Sequence, residues 1–343
     1  GYLMKIGYAW FGHLSDIRSG YGVASVDGNA PYSASIINEF LNRGHSVYAM
    51  NSDRDAPIIE KLGKSAFAAF SRNKRAAAYY DLHWADQNDF PELDILLLEW
   101  RNNPVDAGQR TRLLDWYSGT GTAVIVIDLD HGLTEEDEVL WRFDMVLEPS
   151  LEPREFSITR HSAFLPFDIN DLRQFPMLAP EGDNLVVYVG TQKDKEESMD
   201  LCIAPLGKLY PNQIHFWGDW DRKRWPSIVH HSNANSSEFR EIYGRSVLTP
   251  LLCKTSFDVT GNITSRLSEA LLFGTLPIGF ESNIATNEIL PIDCIAEDHW
   301  DILAMLKFSL FNKPKAREFL RNKIIERLEP LIDVRLFVDK ILL

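Results

Sequence analysis

The sequence predicts an α/β protein made of two doubly wound halves, and three observations carry that reading. Lys5–Trp10 is an apolar run of β-formers. A Gly-bearing loop and an amphipathic helix follow it, with Ile36, Ile37, Phe40 and Leu41 at helical spacing, and then a second apolar run, Ser46–Met50. Strand, loop, helix, strand is a βαβ unit and implies a parallel sheet. The pattern starts afresh at Leu185-Val-Val-Tyr-Val-Gly190, after a stretch (166–184) that carries Pro166, Pro176, Pro180, Gly182 and Asp183 and reads as a linker. A chain of 343 residues with 45% hydrophobic content is long enough for two such cores.

In the N-terminal half, Pro31 suits the first turn of its helix, and Arg43-Gly44-His45 ends it. Ligands of parallel sheets gather at the carboxyl ends of strands. The loop Gly12–Gly28, with Gly20 and Gly22, is therefore a candidate phosphate or acceptor site, or simply a connecting loop. Asp94–Leu98 is the next strand and ends in Glu99-Trp100-Arg101. Glu99 and Arg101 are site candidates, with mutual pairing as the plain alternative. Ala123–Ile127 ends in Asp128-Leu129-Asp130-His131, two carboxylates and a histidine at one strand end. A helix over 135–142 and a strand Met145–Leu147 complete this half, and Glu148-Pro149-Ser150 closes it. Between the second and third strands, residues 61–80 hold Lys61, Lys64, Arg72, Lys74 and Arg75 with Phe67, Phe70, Tyr79 and Tyr80 and no acid. Cations interleaved with aromatics suit phosphate contacts and base stacking. An amphipathic helix with a basic solvent face is the other reading.

In the C-terminal half, Thr191-Gln-Lys-Asp-Lys195 follows the first strand, so Gly190, Lys193 and Lys195 sit at a carboxyl end. A helix over about 196–209, strands at His215–Trp220 and Ser246–Leu252, a helix at 284–289, a strand end at Cys294–Ala296 and helices at 300–311 and 315–332 are expected. The most informative stretch is Thr260–Phe280. Leu267, Leu271 and Leu272 give one helical face, Gly274 is placed as the residue that ends the helix, and Thr-Leu-Pro-Ile-Gly-Phe280 reads as a buried strand. Asn262, Thr264 and Ser265 form the loop entering the helix, with Arg266 and Glu269 in its first turn. Free N–H groups and the helix dipole favour an anion there, an arginine can fork onto a phosphate, and a glutamate can accept from a ribose. The plain alternative is an ordinary αβ unit.

The run Ser-Glu-Ala-Leu-Leu-Phe-Gly-Thr-Leu-Pro-Ile278 resembles the donor-binding motif of GT-B glycosyltransferases. The span Arg266–Gly274 resembles the R-x-x-E-x-x-x-x-G element of the spore-maturation-type branch, and Glu-x-x-x-x-Gly-Thr-x-Pro is similar to bacteriophage DNA α-glucosyltransferases. Many retaining members carry a second Glu eight residues before the first; that position here is Gly261. The resemblance implies a GT-B fold, two Rossmann-like domains facing across a cleft. The expected boundaries are 1–178 for the acceptor side, 179–325 for the nucleotide-sugar side, and a C-terminal helix over 326–343 that crosses back to the first domain. It further implies a nucleotide-sugar donor, a UDP-sugar foremost, with transfer that retains configuration and needs no metal. Arg266, Lys193, Lys195 and Ser265 would neutralise the leaving diphosphate, and Glu269 would hold the ribose. Asp128, Asp130, His131 or Glu99 would serve the acceptor hydroxyl, since the phage enzymes have a similar apolar strand followed by an Asp/His pair.

Net charge is −14; residues 1–180 hold 16 Lys/Arg against 26 Asp/Glu, and residues 181–343 hold 19 against 23. Such a chain is no general nucleic-acid coater, so a polyanion must meet a local basic patch. The three cysteines, Cys202, Cys253 and Cys294, are dispersed among Leu and Ile and read as buried thiols of a reducing compartment. No run of eighteen apolar residues is present. Met4 opens a strand directly, so the reading expects no leader and a cytoplasmic protein, in the host cell if phage-encoded. No metal-ligand spacing, nucleophile elbow, P-loop or dinucleotide fingerprint occurs. Three classes stay open: a glycosyltransferase acting on hydroxymethylated bases in duplex DNA, one acting on a glycan, lipid or small molecule, and a non-catalytic nucleotide-sugar-binding protein. The sequence does not define an oligomeric state.

Overall fold

A computed structural model describes residues 2–9, 31–51, 82–100, 104–154, 158, 160–166, 169–174, 184–234, 238–308 and 313–343. Its internal contacts form two compact units. The first comprises Gly1–Pro149, Pro153–Pro166 and Val334–Leu343, and the second comprises Ser150–Glu152 and Phe167–Asp333.

The first unit is a seven-stranded sheet in the order β3-β2-β1-β4-β5-β6-β7, with every pair parallel. The strands are β1 (Lys5–Ala9), β2 (Ser46–Ala49), β3 (His83–Trp84), β4 (Ile95–Trp100), β5 (Ala123–Asp128), β6 (Met145–Glu148) and β7 (Arg160–Ser162). A parallel sheet is covered on both faces, so its central strands read as continuous apolar runs; Leu96, Leu97 and Leu98 of β4 are fully buried. The Pro31–Asn42 helix joins β1 to β2 in the chain, as the Ile/Phe/Leu spacing predicts, and buries Ile36, Ile37 and Phe40. The Pro104–Tyr117 helix lies between β4 and β5 in the chain and packs Leu113, Leu114 and Tyr117 into the core with Leu96, Leu98, Val124 and Val126. The helix expected over 135–142 is shorter, a single 3₁₀ segment at Glu138–Arg142, because Leu140 is its only buried side chain. The last helix, Val334–Leu342, belongs to this unit. Arg43 pairs with Asp339 at 2.6 Å and donates to the Arg335 carbonyl at 3.0 Å.

The second unit is a six-stranded parallel sheet in the order β10-β9-β8-β11-β12-β13. Its strands are β8 (Asn184–Val189), β9 (Ile214–Trp217), β10 (Val229–His231), β11 (Ser246–Pro250), β12 (Leu276–Phe280) and β13 (Ile295–Ala296). The helix expected over 196–209 consists of Glu196–Ser198, a π turn at Met199–Ile203 and Ala204–Leu209; the π turn buries Met199, Cys202 and Ile203. The Arg266–Phe273 helix ends at Gly274 with φ 94°, the left-handed residue the sequence assigns to that place. The Pro314–Ile332 helix buries Arg321, whose guanidinium donates to the Leu271 carbonyl at 2.8 Å and to Leu172 O. These bonds occupy a carbonyl in the last turn of the Arg266–Phe273 helix that its own backbone leaves open. All three cysteines are buried and free.

Candidate functional site

In both sheets the strand order reverses beside the first strand of the unit, between β1 and β4 and between β8 and β11. Such a switch point opens a crevice at the carboxyl ends of the strands, where ligands of open α/β sheets bind.

At the second unit's switch point, β8 ends in Gly190, whose φ is 153°, and β9 ends in Gly218, whose φ is 134°. Both places exclude a side chain. A Cβ on Gly190 would stand 2.3 Å from an Arg266 Nη, and one on Gly218 would stand 2.2 Å from the Gly190 carbonyl oxygen. That carbonyl accepts from the Trp220 indole N–H at 2.6 Å. Arg266 opens its helix and reaches back to β8. Its Nε–H donates to the Val189 carbonyl at 2.6 Å, and its guanidinium lies 5.0 Å from the Tyr188 ring centre. The side chain is thus half-buried and held, rather than standing in open solvent as its place in a polar loop suggests.

Two further cations are near enough to act on one another electrostatically with Arg266. Lys195 is buried and donates through Nζ to the carbonyls of Thr191 (3.0 Å) and Lys193 (3.2 Å). Burial first, then repulsion from Arg266 and Lys254, bring its pKa down from 10.5 to about 8. Lys254 follows β11 and precedes the Thr255–Thr260 helix. The sequence reading passed over Lys254, although a charged residue after an apolar strand is the same signal that selects Glu99 and Asp128. Lys193 itself is exposed and contributes its carbonyl to the loop. Glu269 is buried, 7% exposed, and accepts from Ser265 Oγ at 3.2 Å. Burial, then the Glu269 charge, push the nearby Tyr243 hydroxyl well above its ordinary pKa. Thr264 Oγ1 is buried with no hydrogen-bond partner among the described residues, and such an atom at a site marks a place for a ligand group. Asn262 is buried and serves the loop. It bridges to Ser150, and its carbonyl accepts from Asn283 Nδ2 at 2.9 Å. Gly261 adopts φ 65°, and a Cβ there would meet Ile284 at 2.8 Å. The position that carries a second glutamate in many retaining enzymes is therefore closed to any side chain.

At the first unit's switch point, Glu99 is 5% exposed and accepts from the Tyr8 hydroxyl at 2.5 Å and from Ser33 Oγ. Asp128 lies one strand away at the end of β5, fully buried. It accepts from the Gly132 and Leu133 N–H groups at 2.7 and 3.3 Å, from Arg160 at 2.9 Å and from Arg154 at 3.3 Å. So committed a carboxylate holds its loop, and burial first, against the pull of Arg160, raises its pKa. Asp130 is exposed on the turn. His131 has φ 55°, and its Nε2 lies 3.0 Å from Glu148 Oε1, with 4% of the side chain exposed. Glu148 also binds Arg160 at 2.9 Å and Arg154 at 3.2 Å. Burial opposes its charge, but His131 and Arg154 outweigh it and hold its pKa at about 2. Sequence reasoning used Glu148 only as the close of the first half. It ends β6 just as Asp128 ends β5.

Gly20, Gly22, Arg101, Lys61, Lys64, Arg72, Lys74 and Arg75 lie outside the described residues. Among the described residues no group of three or more His, Cys, Asp or Glu side chains is placed to hold a metal ion, and no helix is long and apolar enough to cross a membrane.

No protein-family model matches this sequence, and no curated protein matches it. Solved structures do. An alpha-glucosyltransferase in complex with UDP and a 13-mer DNA containing a HMU base superposes with TM-score 0.61 at 14% identity, covering 99% of each chain. The T4 phage beta-glucosyltransferase gives 0.57 at 13% identity over 96% of this chain and 100% of that one. Sucrose-phosphate synthase from Thermosynechococcus elongatus gives 0.55 at 11% identity over 98% of both. The chain has the GT-B fold, built here from parallel α/β sheets of seven and six strands.

Proposed function

We propose that this protein is a glycosyltransferase that takes a sugar from a UDP-sugar and passes it to a hydroxyl acceptor. The observation that carries the proposal is the convergence of Arg266, Lys195 and Lys254 beside the glycines of the second unit's switch point. Breaking the bond from sugar to diphosphate leaves two phosphates with growing negative charge. Preset cations and helix N-terminal N–H groups stabilise that charge. Burial first, and repulsion from Arg266 and Lys254 second, lower the pKa of Lys195, and a diphosphate beside it would offset that repulsion. Glu269, held by Ser265, is set to accept from the ribose, and Thr264 Oγ1 supplies a hydroxyl to the same ligand. Transfer retains configuration and requires no metal.

For the acceptor we propose a hydroxymethylated pyrimidine in duplex DNA. Support comes from the likeness to DNA glucosyltransferases and from the five cations and four aromatics of residues 61–80. A sugar, lipid or small-molecule acceptor is the second reading, favoured by comparable likeness to sucrose-phosphate synthase and to the Anabaena HepE protein solved with UDP and glucose (TM-score 0.57). The test is incubation with a panel of nucleotide sugars, then with hydroxymethylated and plain duplex DNA, with and without chelator. Turnover of any donor, even to water, excludes a binding protein without catalysis. Transfer to hydroxymethylated DNA alone supports the first acceptor, and the anomeric configuration of the product reports retention.

A further inference from the structure

We propose that the amino-terminal end of the Pro314–Ile332 helix is a phosphate-binding site of the second unit, separate from the donor cluster and built on the guanidinium of Arg317.

Charge and burial carry the proposal together. Residues 302–317 hold Lys307, Lys313, Lys315 and Arg317 and no acid, in a chain whose net charge is −14. The helix begins at Pro314, with Lys313 before it and no acid in its first turn. A helix N-terminus carries partial positive charge, which favours an acid there and disfavours a cation. These cations are therefore misplaced for the helix alone and well placed for an anion beside it. Lys313 and Lys315 are exposed, but Arg317 is only 2% exposed. Its Nε is buried with no hydrogen-bond partner among the described residues, and burial is the cause that lowers its pKa. Burying a guanidinium group without a partner is costly, and such a group marks a place for one.

Arg321, one turn on, is the contrast. It is equally buried, but its guanidinium donates to the Leu271 carbonyl at 2.8 Å and to Leu172 O, and it is thereby satisfied. The same contact sets the new site apart from the donor cluster. Arg266 opens the Arg266–Phe273 helix beside the donor glycines, whereas Arg321 meets that helix in its last turn. Long side chains of a helix lean toward its N-terminus, so Arg317, the fourth residue, leans over the first turn. Lys313 stands four residues before it, one turn away. The N–H groups of Ala316 and Arg317 turn back to the Lys313 carbonyl at 3.0 and 3.1 Å. The anion is accordingly held by the side chains and the helix dipole rather than by those two donors. Two cations and a positive helix end balance a dianion better than a carboxylate, and a guanidinium forks onto phosphate oxygens. A phosphate group, free or as a monoester, is the ligand that fits.

The experiment is calorimetry and thermal unfolding of the full chain with inorganic phosphate, in chloride buffer at constant ionic strength and with excess UDP to fill the donor site. Phosphate should bind the parent and raise its unfolding temperature. Arg317→Met should bind phosphate about tenfold to a hundredfold more weakly. Without phosphate that variant should unfold at a higher temperature than the parent, because a buried unpaired charge is gone. Lys313→Ala, a change at an exposed residue, should weaken phosphate binding about threefold. Methyl phosphate binding as tightly as inorganic phosphate supports a monoester ligand, and weaker binding supports the free ion. No phosphate binding to the parent beyond the donor site overturns the proposal, and so does an equal effect of acetate. An Arg317→Met protein less stable than the parent in phosphate-free buffer also overturns it, since the partner would then lie within the chain. If Arg317→Met does not fold, unchanged phosphate binding by Lys313→Ala is the overturning result.

Discussion

Arg266 and Gly190 are shaped to each other: the guanidinium fills the space that a side chain on Gly190 would take, with an Nη 2.3 Å from the missing Cβ. Gly190→Ala must therefore displace Arg266 and also hold alanine at φ 153°, a backbone cost of about 1–3 kcal/mol. We expect lower thermal stability and at least tenfold weaker UDP binding by calorimetry. UDP binding equal to the parent's would break the link between this glycine and the donor.

Arg266→Ala removes a charge-assisted contact worth about 1.5–3 kcal/mol, which corresponds to a tenfold to hundredfold loss of rate. Because Arg266 also binds the Val189 carbonyl, the variant should unfold earlier than the parent, and Arg266→Lys should restore stability more fully than activity. Glu269→Ala should chiefly raise the donor's KM. Unchanged donor affinity would remove Glu269 from the ribose.

UDP binding should take up protons above pH 8. Lys195 titrates at about 8 in the free protein, below the ordinary 10.5, because burial and its cationic neighbours disfavour its charge. A diphosphate beside it reverses that disfavour and raises the value, so affinity falls as pH rises beyond about 8. Calorimetry at pH 9 in buffers of different ionisation enthalpy should report proton uptake, and Lys195→Met should abolish it. Equal uptake in that variant would assign the proton elsewhere.

Glu148 should make the fold acid-sensitive. Its folded pKa of about 2 lies below the ordinary 4.5, so its contribution is complete above pH 4.5 and is lost as pH falls toward 2. The shift corresponds to about 3 kcal/mol. Asp128 opposes this in part, since burial raises its pKa and acid relieves the cost of its charge. Urea midpoints measured across that window should slope less in Glu148→Gln than in the parent. Parallel slopes would contradict the assignment.

If residues 61–80 are the DNA surface, Arg72, Lys74 and Arg75 together meet about three phosphates. Affinity should then fall with salt at a log–log slope of about −2 to −3, most of it lost in the triple alanine variant. Donor hydrolysis should be spared. A triple variant that modifies DNA as the parent does would place the acceptor surface elsewhere.

What was legible in the sequence was local. Strand β4, the Arg266–Phe273 helix with its Gly274 stop, and strand β12 follow from apolar runs and one left-handed glycine. The Pro104–Tyr117 helix escaped notice because its buried residues, Leu113, Leu114 and Tyr117, lie near one end and Gly108 interrupts the rest. The π turn at Met199–Ile203 has no sequence signature. At the site, proximity to strand ends picked out Lys195 and His131, and the start of a helix picked out Arg266. It could not foresee that Asp128 is gripped by Arg160, 32 residues on, or that Arg266 folds back onto β8, 77 residues earlier. Such partners are chosen by topology, and nothing near them in the chain announces them.

The pairing of Arg43 with Asp339 bears on how the molecule is made. Translation delivers residues from the amino end, so β1, β2 and the Pro31–Asn42 helix emerge long before the Val334–Leu342 helix that packs against the Pro31–Asn42 helix. Throughout synthesis of the second unit, the first carries an uncovered apolar face where Val334, Phe337, Val338 and Ile341 will settle. The nascent first unit, completed only by the last helix of the chain, is the stage at which a chaperone has something to hold.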